Sequence, residues 1–237
     1  MESRARAQAL ILAGIVFCGE RKILKAGETL TEDADVTVRG KDHPWVSRGG
    51  LKLDHGLTHF GFDLAGTTAL DVGSSTGGFT DVLLSRGAAK VFAVDVGTNQ
   101  LAWRLRQDAR VIVLEKTNAR TLDRGIIPDA IGTVVCDASF IGLAKVLDAA
   151  IDLAEPGAML VALVKPQFEA KRGEIGKGGV VRDPGVHQRV CDDASIWVSG
   201  KGWRVLGVTP SPITGPEGNV EFLLGALKVG NDGEVGT

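Results

Sequence analysis

Tyrosine is absent from this chain of 237 residues, and cysteine nearly so. The first absence points nowhere; the second excludes two classes of protein. Cys18, Cys136 and Cys191 are odd in number, far apart and in no CxxC or CxxH spacing. That leaves neither a disulfide framework nor a zinc site, and it suits a reducing, cytoplasmic setting with no resident metal. No apolar run approaches the roughly 20 residues that a bilayer span requires. The opening Met-Glu-Ser-Arg-Ala-Arg lacks the apolar core of a signal peptide, and no amphipathic repeat suggests a pore. With a formal net charge of only −2, nothing global draws the chain to nucleic acid, so any such contact has to come from a local patch.

What is present is an ordinary globular composition, 44% hydrophobic and 24% charged. The length suits one α/β domain of about 180 residues with a small appendage. Residues 1–40 read as that appendage: a helix over 3–13, strands over 15–17 and 36–38, and a turn at Gly19-Glu-Arg. A linker over 41–46 follows, then a larger domain over 47–230. Its pattern is a helix over 47–61, then strands over 68–72, 91–95, 111–114, 133–137 and 159–164. Helices are expected over 77–86, 99–106, 141–153 and 183–199. The end breaks this alternation. Apolar strands over 203–209 and 220–227 are joined by a loop too short for a helical crossover, so they must be antiparallel. Five parallel-type strands closed by a hairpin are the pattern of a Rossmann-like methyltransferase fold dependent on S-adenosylmethionine. A nicotinamide-binding domain would end on another βα unit.

The segment Asp71-Val-Gly-Ser-Ser-Thr-Gly-Gly-Phe79 follows the first strand of the large domain. Its glycines, Gly73, Gly77 and Gly78, fit neither GxGxxG nor a phosphate-binding loop, which disfavours a pyrophosphate ligand. S-adenosylmethionine has no phosphate but carries an amino-acid end and a ribose. Asp71 is placed for its ammonium group, directly or through water. Asp95, after the second strand, is placed for the ribose hydroxyls and Asn118 for the adenine edge. Ser75 and Phe79 complete the candidate cofactor set. A generic tight βα turn with capping carboxylates is the competing reading.

Four charges surround that turn. Asp137 and Lys165 close apolar runs, Glu221 sits inside a third, and Lys52 lies beside the apolar face of the first large-domain helix. Charges at the ends of buried strands are costly unless a site uses them. Methyl transfer to a ribose hydroxyl requires removal of a proton, and a lysine can serve only when desolvation or a neighbouring cation disfavours its charged form. Lys165, behind Leu160-Val-Ala-Leu-Val164, has such surroundings, Lys52 would be the neighbouring cation, and Asp137 and Glu221 would orient the amines. Taken singly, each charge also reads as a solvated strand end.

At these residues the chain resembles the TlyA, or hemolysin A, family of ribosomal RNA 2′-O-methyltransferases, whose catalytic domain is similar to FtsJ. The motifs are Val46-Ser-Arg-Gly-Gly-Leu-Lys52, Leu70–Thr80, Cys136-Asp137-Ala-Ser-Phe140, Leu163-Val-Lys165-Pro-Gln-Phe168 and Asn219-Val-Glu221. The resemblance implies a Lys52-Asp137-Lys165-Glu221 tetrad with Lys165 as base, S-adenosylmethionine as methyl donor, and ribosomal RNA or a ribosomal subunit as partner. It also likens residues 3–40 to an alpha-L RNA-binding module, short at its N-terminus. Arg4 and Arg6 (two apart and so pointing differently), Arg21, Lys22 and Lys25 are its candidate RNA contacts, joined by Arg48 in the large domain. The Gly-rich stretch 173–184 reads equally as a connector or as a loop closing on substrate with Lys177 and Arg182 on phosphates. Two other functions stay open at this stage: a non-catalytic RNA-binding or ribosome-assembly factor, and a methyltransferase with a non-RNA substrate.

Overall fold

The computed structural model describes residues 7–8, 10–11, 16–31, 33–38, 43–215 and 217–230. Arg4, Arg6, much of the helix expected over 3–13 and the first part of the expected linker lie outside these residues. Backbone contacts divide the chain into two units, 1–44 and 45–237.

In the first unit, β1 (Val16–Cys18), β2 (Arg21–Lys22) and β3 (Val36–Val38) form a sheet in the order β2-β1-β3. β2 falls partly within the expected turn. Gly19 takes a φ of 55°, which reverses the chain quickly enough for Arg21 and Lys22 to pair with Cys18 and Phe17. Among the described residues of this unit, Leu10, Val16 and Ile23 form its buried apolar cluster.

The second unit is built on a seven-stranded sheet in the order β6-β5-β4-β7-β8-β10-β9. Strands β4 (Thr68–Val72), β5 (Lys90–Val94), β6 (Val111–Leu114), β7 (Ile131–Cys136) and β8 (Ala154–Val164) are parallel. Both faces of these strands are covered, which is why they read as continuous apolar runs. Leu70, Val134, Leu160 and Ala162 belong to one core with α4 (Leu143–Asp152) and α6 (Pro184–Gly200). Ala69, Val135, Val161 and Leu163 belong to the other with α1 (Gly49–Phe60) and α2 (Gly78–Ser85). The last two strands, β9 (Trp203–Pro210) and β10 (Phe222–Lys228), form the expected antiparallel hairpin, and β10 also runs antiparallel to β8. The sheet is therefore mostly parallel with an antiparallel end, as the sequence pattern implies.

Near the site, the second unit also differs from expectation. The helix over 99–106 shrinks to α3 (Trp103–Arg106), because Asn99 adopts a left-handed φ of 56° and Ala102 an extended ψ of 137°. Glu221 precedes β10 rather than lying inside a strand. The short α5 (Pro166–Glu169) directly follows Lys165. Strand order reverses between β4 and β7, opening a crevice at the carboxyl ends of the parallel strands, where such sheets take ligands.

Candidate active site

The carboxyl end of β7 delivers Asp137 to this crevice, and that of β8 delivers Lys165. Antiparallel pairing sets Phe222 opposite Val164, so Glu221 arrives at the same edge. Lys52 comes from α1, held down by the fully buried Leu53 and Leu57. The four charges form one chain of alternating sign. Lys165 Nζ lies 2.6 Å from Asp137 Oδ1, Lys52 Nζ 3.8 Å from Asp137 Oδ2, and Lys52 Nζ 2.6 Å from Glu221 Oε2. Lys52, Lys165 and Glu221 are buried. Each amine has a carboxylate at 2.6 Å, which compensates the cost of its desolvation. All four line a cavity of about 840 Å³ that also touches Gly73, Ser75, Gly78 and Phe79.

A second cleft, of about 570 Å³, shares Gly73, Ser75 and Asp137 with the first and contains Asp95 and Asn118. Asp95 organises its floor, its carboxylate accepting the Ser75 N–H at 2.8 Å and the Gly97 N–H at 2.7 Å. Asn118 Oδ1 accepts the Arg120 N–H. Gly73 has a φ of 82°, and a Cβ there would meet the Ala138 backbone at 3.0 Å. Only glycine lets the turn pass so close to the Asp137 segment. The two clefts, one edged by an acid and an amide and the other by the charged chain, suit a nucleoside joined to a reactive amino-acid arm. The residues therefore fit S-adenosylmethionine.

Two residues of the candidate cofactor set reach neither cavity wall. Gly77 packs instead against Leu105, whose Cδ1 would lie 2.3 Å from a Cβ at that position. Asp71 shares the strand face of Ala69 and so points beneath α2, fully buried. Its Oδ2 accepts the Thr80 hydroxyl at 2.6 Å, and its Oδ1 has no hydrogen-bond partner among the described residues. Burial pushes this carboxyl up to about 7, against the opposing Thr80 hydrogen bond and with a smaller push from Asp137. Asp71 thus lies under the turn and lines neither cleft.

Several cavity residues escaped the sequence reading. Ser139 Oγ accepts from Lys165 Nζ at 2.8 Å. Phe140, 91% exposed and with a φ of 66°, lies 5.3 Å from the Phe168 ring, centre to centre. Buried Asn219 accepts the Val181 N–H and donates to the Gly179 carbonyl, both at 3.0 Å, which ties the Gly-rich stretch to the approach to β10.

The candidate RNA contacts scatter. Arg48 lines the large cavity, whereas Lys177 and Arg182 are exposed on the Gly-rich stretch and do not, although Gly178 and Gly179 between them do. In the first unit, Arg21, Lys22 and Lys25 line a shallow hollow with Glu28, to which Arg21 hydrogen-bonds. Lys22 Nζ sits 5.8 Å from the centre of the Phe17 ring.

The FtsJ-like methyltransferase family model matches residues 45–228. Over 227 residues the chain is 47% identical to the 16S/23S rRNA (cytidine-2′-O)-methyltransferase TlyA of Mycobacterium tuberculosis, covering 94% of this chain and 83% of that protein. It is 39% identical to hemolysin A of Brachyspira hyodysenteriae over 223 residues, 94% of this chain and 92% of that one. A solved hemolysin-named protein from Streptococcus thermophilus superposes with a TM-score of 0.78 at 40% identity, covering 97% of this chain and 84% of that one. An S-adenosylmethionine-dependent methyltransferase from Listeria monocytogenes, 17% identical with a TM-score of 0.57, shares the fold over 77% of this chain and 99% of that one. Fold and site together define an S-adenosylmethionine-dependent methyltransferase. The chain belongs to the FtsJ-like methyltransferase family, in the group that holds TlyA and hemolysin A. Among the described residues, no helix is long and apolar enough to cross a membrane.

Proposed function

We propose that this protein methylates a ribose 2′-hydroxyl of ribosomal RNA in the cytoplasm, with Lys165 as the base. The observation that carries the reading is the chain of ion pairs Lys165–Asp137–Lys52–Glu221, which opens on a cavity sharing walls with the nucleoside cleft. The name of the 47%-identical relative supports the same substrate class.

S-adenosylmethionine, when bound, supplies an electrophilic methyl group on a sulfonium. Asp95 and Asn118 would hold its nucleoside part, and Gly73, Ser75, Gly78 and Phe79 would border the rest. The neutral amine of Lys165 accepts the proton of the 2′-hydroxyl as that oxygen takes the methyl group. Asp137 accepts an N–H of that amine and aims it. Lys52 shares the Asp137 carboxylate with Lys165, its Nζ lying 3.8 Å from Oδ2. Glu221 in turn keeps Lys52 in place. The exposed Phe140 offers a flat apolar face at the cavity mouth for a base drawn out of its stack. Arg48, Lys177 and Arg182 on the large unit, and Arg21, Lys22 and Lys25 on an RNA-binding first unit, supply the phosphate contacts. Arg4 and Arg6, outside the described residues, belong to the same proposal.

The test is tritiated methyl transfer from S-adenosylmethionine to purified ribosomal subunits by wild type and Lys165→Ala. Label in alkali-resistant dinucleotides, lost in the variant while cofactor binding persists, is the expected outcome. Undiminished transfer by Lys165→Ala would remove the base assignment, and label only in alkali-sensitive nucleotides would remove the 2′-hydroxyl.

A further inference from the structure

Lys165 Nζ meets three oxygens: Asp137 Oδ1 at 2.6 Å, Ser139 Oγ at 2.8 Å and the Asp137 carbonyl at 3.4 Å. The first two are full hydrogen bonds, while the third is at the long limit. Asp137 alone fixes one N–H and leaves the other N–H and the lone pair of a neutral amine free to exchange places. Two fixed directions on a tetrahedral nitrogen determine the remaining one. We infer that Ser139 is a positioning residue for methyl transfer: with the Asp137 carboxylate, its hydroxyl orients Lys165 Nζ so that the remaining direction, met here only by the distant carbonyl, is left to the substrate hydroxyl. The inference rests on Lys165 being the base.

A hydroxyl suits this place better than a second carboxylate. It accepts an N–H without adding the negative charge that would hold Lys165 as an ammonium. It also rotates freely, so it can keep its bond as the amine gains a proton. The segment carrying it is itself fixed. Glu169 Oε1 accepts the Leu143 N–H at 2.6 Å, which ties the start of α4 to α5, the helix that begins just after Lys165. Burial holds the Glu169 carboxyl above the usual carboxylate range, yet either protonation state of this group retains an acceptor oxygen. Ser139, between Asp137 and the left-handed Phe140, thus stands at a set distance from the base.

Ser139→Ala, Ser139→Cys and Ser139→Thr are compared with wild type and Lys165→Ala in single-turnover methyl transfer, alongside cofactor titration and RNA saturation. Misaligning a reacting group costs on the order of a hundredfold in rate, and the amine is still held by Asp137. The expected result is therefore a kcat lowered roughly ten- to hundredfold in the Ala and Cys variants. KM for RNA and cofactor affinity should stay close to wild type, and Thr, which restores the hydroxyl, should recover most of the rate. Ala and Cys variants turning over at the wild-type rate while Lys165→Ala is dead would overturn the role of Ser139 and leave the base intact. A Thr variant as slow as Ala, with cofactor binding preserved, would overturn it as well. Activity in Lys165→Ala would overturn both assignments together.

Discussion

Lys52 and Glu221 are 2.6 Å apart and largely withdrawn from water, so removing either takes from the other its shortest charge contact. Breaking a buried pair from one side costs about 3–5 kcal/mol, whereas replacing both members with apolar groups is often neutral. Glu221→Ala is thus expected to lower the unfolding midpoint well beyond Lys52→Met/Glu221→Leu, while both variants lose methyl transfer; equal midpoints in thermal melts would show the pair to be solvated. Asp71 makes a different prediction. Its folded carboxyl sits at about 7 against an ordinary 3.8. Between those values the folded state keeps a proton that the unfolded chain has released, so this group's contribution to stability falls as pH rises through the window and is flat above it. Melts of wild type across pH 4 to 8 should therefore decline more steeply than those of Asp71→Asn, and parallel curves would show that the buried carboxyl ionises freely. Asp137 and Lys165 were legible because each closes an apolar run, whereas Lys52 and Glu221 stood out only as charges within or beside apolar stretches. The direction of Asp71 was not, since a strand covered on both faces has no polar face from which to read parity. Ser139 and Asn219 were equally hidden, as their partners lie 26 and about 40 residues away in sequence and no periodicity marks such contacts.

At the scale of elements, the distance between Lys52 and Glu221 is a consequence of how closely α1 lies on the sheet. Two glycines set it. A Cβ on Gly56 of α1 would meet Val161 Cγ1 at 3.0 Å, and one on Gly225 of β10 would lie 2.5 Å from the Phe60 ring. Gly225→Ala has no flexible side-chain end to displace, only an aromatic ring packed beside Phe62. Overpacking of this kind costs about 1–3 kcal/mol, and here it lifts the helix that carries Lys52. The expected outcome is a lower melting midpoint together with reduced kcat, both partly restored by Phe60→Leu; full activity in Gly225→Ala alone would show that α1 does not set the tetrad geometry. The parallel strands and their helices were legible from apolar runs, but α3 shows where that signal fails. Leu101 and Leu105 are both buried at helical spacing, although only Trp103–Arg106 is helical. Burial satisfied the pattern while Asn99 and Ala102 broke the backbone. In β2 the failure is opposite, since two exposed basic residues carry no strand signal and pair only because Gly19 turns the chain back onto β1.

For the whole molecule, a net charge of −2 makes the distribution of cations more important than their number. The larger unit holds both clefts and the entire charged chain, and hence all of the proposed chemistry. The first unit, whose alpha-L likeness belongs to the proposal, contributes none of those residues. Its Arg21, Lys22 and Lys25 share a hollow with one acid, Glu28, and so present a surplus of positive charge. Contacts of that kind fix a protein on RNA by its phosphates, and each one lost weakens binding with little regard to sequence. The substitutions Arg21→Glu, Lys22→Glu and Lys25→Glu, made together in the full chain, should therefore raise KM for ribosomal subunits about tenfold or more and flatten its dependence on salt by roughly the number of phosphate contacts removed. Cofactor affinity and the single-turnover rate at saturating RNA should be unchanged, because no residue of either cleft is touched. Filter binding across a salt series, paired with methyl transfer at saturation, separates these quantities. An unaltered KM and salt slope would assign RNA docking to Arg48, Lys177 and Arg182 on the catalytic unit, and a fall in the saturated rate would give the first unit a part in assembling the site.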